Sequence, residues 1–114
     1  MFLTLTRFLI TAVEAVNKEV LVDTETVITC KITQINEQMS IEWSGFTPGP
    51  NFVPNQESYD PNSNSQTGKL TVKSDAVKSD HTYTCSVSST VNTASAVKTT
   101  EVHLNVYGKN SYHT

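Results

Sequence analysis

The side chains that could perform acid–base or nucleophilic chemistry are few and scattered along this chain of 114 residues. Its three histidines are His81, His103 and His113. None of them has an acidic or nucleophilic partner at a spacing typical of a catalytic group. The sequence also lacks a Gly-x-Ser-x-Gly turn, which would expose a serine nucleophile. We therefore predict no enzymatic activity and interpret the histidines as solvated surface residues.

One segment carries oxygen ligands at alternate positions, as calcium-binding loops do. These residues are Asp60, Asn62 and Asn64. Such loops use several carboxylates and a glycine at the sharp turn. Here only one carboxylate is present, and the glycine is missing from the next position. The sequence therefore predicts no metal site and no cofactor.

The two cysteines lie in segments that alternate in polarity with a period of two. Cys85 lies in residues 82–88, where it shares the less polar face with Tyr83, and Cys30 lies in residues 27–32. This period predicts β-strands, and strands with one apolar and one polar face belong to antiparallel sheets. From these residues alone, the cysteines are either two reduced, buried thiols or one disulfide.

Other parts of the chain show the same alternation. All four prolines fall within residues 44–67, and this range can therefore hold only edge strands and turns. The remaining predicted strands lie within residues 3–13, 19–22, 39–43, 68–73 and 99–107, with short candidates at 51–53 and 57–59.

The spacing of a few core residues resembles the signature of the immunoglobulin superfamily. Trp43 follows Cys30 by thirteen residues, Tyr83 stands two residues before Cys85, and Leu70 stands fifteen before it. The likeness covers roughly residues 10–107 and is to compact variable-like or I-set domains of invertebrate or early-chordate type. It implies an all-β, immunoglobulin-like β-sandwich of two antiparallel sheets joined by one inter-sheet disulfide.

The resemblance also assigns roles to single residues. Cys30 and Cys85 would form the disulfide, and Trp43 would pack against it, with Ile28, Leu70 and Tyr83 also in the core. The Tyr83 hydroxyl would bond the backbone near residues 77–79, as a tyrosine corner. Two positions depart from the family pattern. Ser79 stands where an aspartate is usual, and His81 stands where a glycine or alanine is usual.

Length and charge limit the domain organisation and the partners. We predict a single domain over residues 10–107, with 1–9 as an extension or the first part of the first strand and 108–114 as a tail or linker. Interpreting residues 1–10 as a signal peptide fits poorly, because no basic leader precedes the apolar part and Arg7 interrupts it. The net charge of −3 and the lack of a basic cluster exclude a nucleic-acid surface. No apolar run is long enough for direct membrane insertion.

The function implied by the resemblance is extracellular recognition, in an immune-type receptor or adhesion protein, with a protein partner or a second copy of the chain. An extracellular location also follows from a disulfide. The sequence has no Asn-x-Ser/Thr site, so the surface would carry no N-linked glycan. One candidate contact surface is the loop from Ser89 to Lys98. The other is the outer face of one sheet, where we expect Glu42, Thr84, Ser86, His103 and Asn105.

Two alternatives remain open. The chain could be a structural spacer in a tandem immunoglobulin array, with no ligand site of its own. It could also be a glycan-binding accessory domain, which would need exposed aromatic rings in a row. Only Phe46, Phe52 and Tyr59 could supply such a row.

Overall fold

The computed structural model describes residues 12–89 and 98–108, which form eight β-strands and one 3-10 helix at Ser74–Ala76. Within this part of the chain, no helix is long and apolar enough to cross a membrane. The prediction of an all-β protein is confirmed. The strands are β1 (Ala12–Ala15), β2 (Lys18–Leu21), β3 (Thr26–Thr33), β4 (Met39–Ser44), β5 (Phe52–Gln56), β6 (Ser65–Val72), β7 (His81–Ser89) and β8 (Lys98–Tyr107).

The strands form two four-stranded sheets that pack face to face. Sheet 1 has the order β1-β3-β6-β5, and sheet 2 has the order β2-β8-β7-β4. A disulfide between Cys30 and Cys85 joins β3 to β7 across the interior. The immunoglobulin-like β-sandwich with one inter-sheet disulfide is thus confirmed.

One strand pair departs from the expected antiparallel arrangement. β2 runs parallel to β8, with Lys18 opposite Leu104 and Leu21 opposite Tyr107, so sheet 2 is mixed. The two residues between β1 and β2 move the chain from sheet 1 to sheet 2 without reversing its direction. A parallel pair results because the reversal that a hairpin provides is missing.

The interior contains two clusters of apolar side chains, and Trp43 packs against both. Ile28, Leu70 and Tyr83 are buried in the first cluster, and the disulfide belongs to the second. Trp43 is only partly buried, because β4 is an edge strand of sheet 2. Its indole N–H is nevertheless enclosed, and it has no hydrogen-bond partner within residues 12–89 and 98–108.

The proline-rich range 44–67 supplies one regular strand before β6. Of the two short candidates, residues 51–53 overlap β5, whereas residues 57–59 form no strand. β5 lies at the edge of sheet 1 and contains Pro54. An edge position tolerates proline because its missing N–H is not needed for a second ladder.

Glutamine side chains from sheet 1 cover the free edge of β4. Gln66, an inward-facing residue of β6, is 2% exposed. Its Nε2 donates to the Met39 carbonyl at 2.9 Å, and its Oε1 accepts from the Met39 N–H at 2.8 Å. Gln56 Oε1 accepts from the Ile41 N–H. These bonds replace those of a neighbouring strand, which limits edge-to-edge pairing.

Candidate interaction face

Sheet 2 presents a polar outer face, because alternate residues of its strands point away from the core. In β8, Val102 and Leu104 are buried, so Glu101, His103 and Asn105 project outward. We call this surface the outer face of sheet 2. It consists of Glu19, Leu21, Ser40, Glu42, Ser44, Thr82, Thr84, Ser86, Ser88, Thr99, Glu101, His103, Asn105 and Tyr107.

The structure places all five predicted contact residues on this face. Glu42 lies opposite Ser86 in the β4–β7 register, and His103 lies opposite Thr82 in the β7–β8 register. His103 Nδ1 is 2.9 Å from the Thr82 hydroxyl, and the His103 backbone N–H donates to Asn17 Oδ1 at 3.0 Å. These bonds hold the centre of the face in place. The other predicted surface, the loop after β7, lies largely outside the described residues.

The outer face of sheet 2 carries negative charge without compensation. Glu19, Glu42 and Glu101 are all exposed. Among the described residues of this face there is no lysine or arginine. The three carboxylates also take part in none of the ion pairs formed within residues 12–89 and 98–108.

Sheet 1 differs, because two lysines on its side, Lys69 and Lys73, are paired with acidic residues, and Lys31 on β3 adds a further positive charge. Lys69 Nζ lies 3.0 Å from Glu57, and Lys73 Nζ lies 3.4 Å from Glu25. Both pairs are exposed, so each contributes little to stability. They do neutralise that side of the domain, and the two sides therefore differ in charge.

An apolar spot lies at one end of the same outer face. Leu21 and Tyr107 are register partners, and their side chains are 46% and 58% exposed. A cavity of about 480 Å³ adjoins them, and Glu19 also lines it. Gly108, with φ of +107°, carries the backbone so closely past Leu21 that a Cβ would clash with the leucine Cδ1.

Part of this face was not predicted from the sequence. Glu101 and Tyr107 lie on the same side of β8 as His103, and the period of two could have identified them. Glu19 and Leu21 belong to the face only because β2 pairs with β8. No local pattern in residues 18–21 indicates that pairing.

The aromatic residues considered for glycan binding do not form a row. The Phe46 and Phe52 rings stack at 4.6 Å and pack against the first core cluster, beside a cavity of about 620 Å³. Tyr59 packs against the second cluster, and its hydroxyl donates to Asn64 Oδ1 at 3.1 Å. The rings are thus divided between the two ends of the core.

The residues considered for calcium instead close a turn. Asp60 Oδ1 accepts from the Asn62 N–H at 2.9 Å, and Oδ2 accepts from the Ser63 hydroxyl at 3.0 Å. These hydrogen bonds hold the pKa of Asp60 below its ordinary value. Within the described ranges, no three His, Cys, Asp or Glu side chains are grouped to hold a metal ion.

The corner before β7 differs from the expected tyrosine corner. Among the described residues, the Tyr83 hydroxyl makes no hydrogen bond to the backbone of residues 77–79. Burial raises the pKa of Tyr83. Two neighbouring residues bond the backbone instead. Asp80 Oδ1 accepts from the Val106 N–H at 2.7 Å, and His81 Nε2 contacts the Gly45 carbonyl.

Replacing Tyr83 by phenylalanine should therefore change the free energy of unfolding by less than about 0.5 kcal/mol. A hydrogen bond of the expected kind would be worth about 1 kcal/mol, and here no such bond is lost. Phenylalanine keeps the ring that contacts Phe46 and Phe52. Chemical denaturation of both proteins measures the difference. A loss of 1 kcal/mol or more would show that the hydroxyl does make the corner bond.

Among solved structures, the chain is similar to the M1 domain from titin. The TM-score is 0.55 and the sequence identity is 13%, over 86% of this chain and 97% of that one. No protein-family model and no curated protein sequence matches the chain significantly. At this identity the likeness shows the fold alone, which is that of an immunoglobulin-like β-sandwich.

Proposed function

We propose that this chain is a non-enzymatic recognition module of an immune-type receptor or adhesion protein, of the compact variable-like or I-set type. It binds a protein partner through the outer face of sheet 2. The supporting observation is that four hydrogen-bonded strands present this face as one surface, which the disulfide fixes to sheet 1. The compact form is supported by the direct step from β4 in sheet 2 to β5 in sheet 1, which leaves out the two extra strands of a full variable domain.

The composition of the face suits contact with another protein. Half of its side chains are serine or threonine, which are short and neutral. They allow close approach of a partner, and few rotamers have to be ordered. A preorganised surface loses less entropy on association than a mobile loop does, so the same contacts yield higher affinity.

The disulfide supports an extracellular location. Such bonds persist in oxidising compartments and are rare where thiols are kept reduced. Here the bond is enclosed, because both cysteines have no exposed surface. We therefore place the module on a secreted protein or on the ectodomain of a membrane protein.

A second copy of the chain is a less suitable partner than a different protein. A two-fold contact through this face would bring Glu19, Glu42 and Glu101 of one copy towards the same residues of the other. Like charges across an interface oppose association. We expect the isolated domain to sediment as a monomer at low salt, and a stable dimer under those conditions would favour self-recognition.

A glycan placed on the outer face of sheet 2 should abolish partner binding. Ser86→Asn completes an Asn-Val-Ser site at the centre of this face, and an N-linked glycan there is bulky enough to block it. The matched control is Lys31→Asn, which completes an Asn-Ile-Thr site on β3 in sheet 1. Both proteins are secreted from eukaryotic cells, and their glycosylation is verified by mass.

The measurement uses multimers of the domain, which raise the avidity of a weak contact. Fluorescent multimers are applied to cells and extracellular material from the source organism. We expect the unmodified and Lys31→Asn proteins to stain them and the Ser86→Asn protein not to. Equal staining by both glycosylated proteins would contradict the proposed face.

One observation favours a structural spacer as the second candidate. β1 begins at Ala12, level with the end of β3 at Thr33, whereas β8 ends at Tyr107, beside Leu21 and the start of β3. The first described strand therefore begins at one end of the sandwich, and the last one ends at the opposite end. This arrangement suits a head-to-tail array. A spacer predicts that the unmodified multimer stains no cell or matrix.

A further inference from the structure

We propose that the partner of the outer face of sheet 2 is basic, with an arginine or lysine side chain seated against Leu21, Tyr107 and Glu19. This inference rests on the proposed function and specifies the chemistry of its partner. It is carried by two independent features of the face, which are its uncompensated charge and its apolar spot.

The three glutamates are spread over the face. Glu42 on β4 lies opposite Ser86, and Glu101 on β8 lies opposite Thr84. Because β7 separates their strands, the Cα atoms of the two residues stand at least about 10 Å apart. Glu19 lies further along, beside Asn105. Such a spread suits several separate contacts along a protein surface.

No lysine of the described residues projects from this face, because Lys18 and Lys98 occupy the alternate positions of β2 and β8. Lys18, next to Glu19 in β2, donates to the Val27 carbonyl at 3.2 Å on the sheet 1 side. On the sheet 1 side, Lys69 and Lys73 are paired with Glu57 and Glu25. The positions of the three glutamates are more than one Debye length apart, which is about 8 Å at physiological salt, so the carboxylates are largely screened from one another. A basic partner would bring an opposite charge close to each carboxylate and would associate faster through electrostatic steering at low salt.

The apolar spot specifies where a long cationic side chain would lie. The stem of an arginine is apolar and would cover Leu21, while its guanidinium would reach the Tyr107 ring and the Glu19 carboxylate. Arginine stacks on aromatic rings and binds carboxylates with two parallel hydrogen bonds. The adjoining cavity of about 480 Å³ extends towards the start of β3 and is lined there by Lys18, so the arginine would lie on the outer face and not inside this cavity.

The remaining residues of the face are compatible with a basic partner. Ser40, Thr84 and Ser86 are uncharged, so a basic surface loses little by covering them. An acidic partner would be repelled by all three glutamates. A second copy of this chain would present the same glutamates through this face. On its sheet 1 side, Lys69 and Lys73 already have acidic partners, and Lys31 is the one lysine of the described sheet 1 strands outside these ion pairs.

The test uses the isotope-labelled domain and two synthetic peptides of about twelve residues. One peptide has four arginines around a central leucine, and the other has glutamates in place of the arginines. Two-dimensional NMR spectra are recorded during each titration. We expect the arginine peptide to shift the signals of Thr84, Glu101 and Tyr107. Its affinity should decrease as the NaCl concentration is raised from about 50 to about 500 mM. We expect no shifts with the glutamate peptide.

Variants with glutamine in place of glutamate show whether the affinity depends on the position of the negative charges or only on the net charge. Glu42→Gln with Glu101→Gln should lower the affinity for the arginine peptide about five- to tenfold, as expected for two exposed charge contacts. The matched control, Glu14→Gln with Glu57→Gln, changes the net charge equally on the sheet 1 side and should bind like the parent. Equal losses in both double variants, binding of the glutamate peptide, or shifts confined to sheet 1 would overturn the proposal.

The outcomes also distinguish this inference from the proposed function. Suppose that the arginine peptide does not bind the outer face of sheet 2, while the Ser86→Asn glycan still abolishes staining. The face is then a recognition surface, and the basic partner is wrong. If the peptide binds this face but the glycan leaves staining unchanged, the face is acidic and accessible, yet the natural partner binds elsewhere. Both proposals then fail.

Discussion

Replacing Cys30 and Cys85 together by alanine should lower the free energy of unfolding by about 4 kcal/mol. The disulfide spans 55 residues, and a loop of this length restricts the unfolded chain by roughly that amount in the chain-entropy model. Small domains are stable by only about 5–15 kcal/mol. The variant should therefore keep little stability at body temperature. Urea unfolding followed by tryptophan fluorescence measures the loss, with Trp43 as the only tryptophan.

The control for this prediction is the parent protein unfolded with and without reducing agent. Reduction of the parent should produce a similar loss, because the same constraint is removed. A loss below about 1 kcal/mol in both experiments would mean that the domain folds as well in a reducing compartment. The extracellular location, which depends on the disulfide, would then lose its support.

The sequence predicted the central strands of the fold because local patterns determine them. Cys30, Trp43 and Cys85 lie on alternating segments, and all three face inward in register, with Trp43 opposite Cys85. The period of two also placed Thr84 and Ser86 on the outer face correctly. These features depend on side-chain polarity alone, which can be read without knowing which strands are neighbours.

The features that the sequence did not predict depend on which strands are neighbours. The parallel pairing of β2 with β8 adds Glu19 and Leu21 to the face, and it involves residues about 86 positions apart. The departure from the expected tyrosine corner also depends on residues that are distant in sequence. His81 and the adjacent Asp80 bond Gly45 and Val106, which are distant in sequence.

The sequence also did not predict that glutamine side chains cover the free edge of β4. This arrangement leads to the second large prediction. Gln66→Leu should lower the free energy of unfolding by about 3 kcal/mol. The Gln66 amide satisfies both the N–H and the carbonyl of Met39, and this site is buried. Leucine has a similar volume but no polar atom, so the Met39 N–H would lose its partner and the Met39 carbonyl would keep only the long bond from Gln38 Nε2 at 3.5 Å. Each unsatisfied buried group costs about 1–3 kcal/mol.

The matched control is Gln56→Leu, which removes the single bond to the Ile41 N–H at an exposed side chain. Water can replace that bond, so we expect a loss of about 1 kcal/mol or less. Denaturation of the two variants measures both values. Sedimentation adds an independent readout, because Gln66→Leu exposes an edge of sheet 2 that another chain can pair with. Equal losses in the two variants, with Gln66→Leu remaining monomeric, would show that Gln66 does not close this edge.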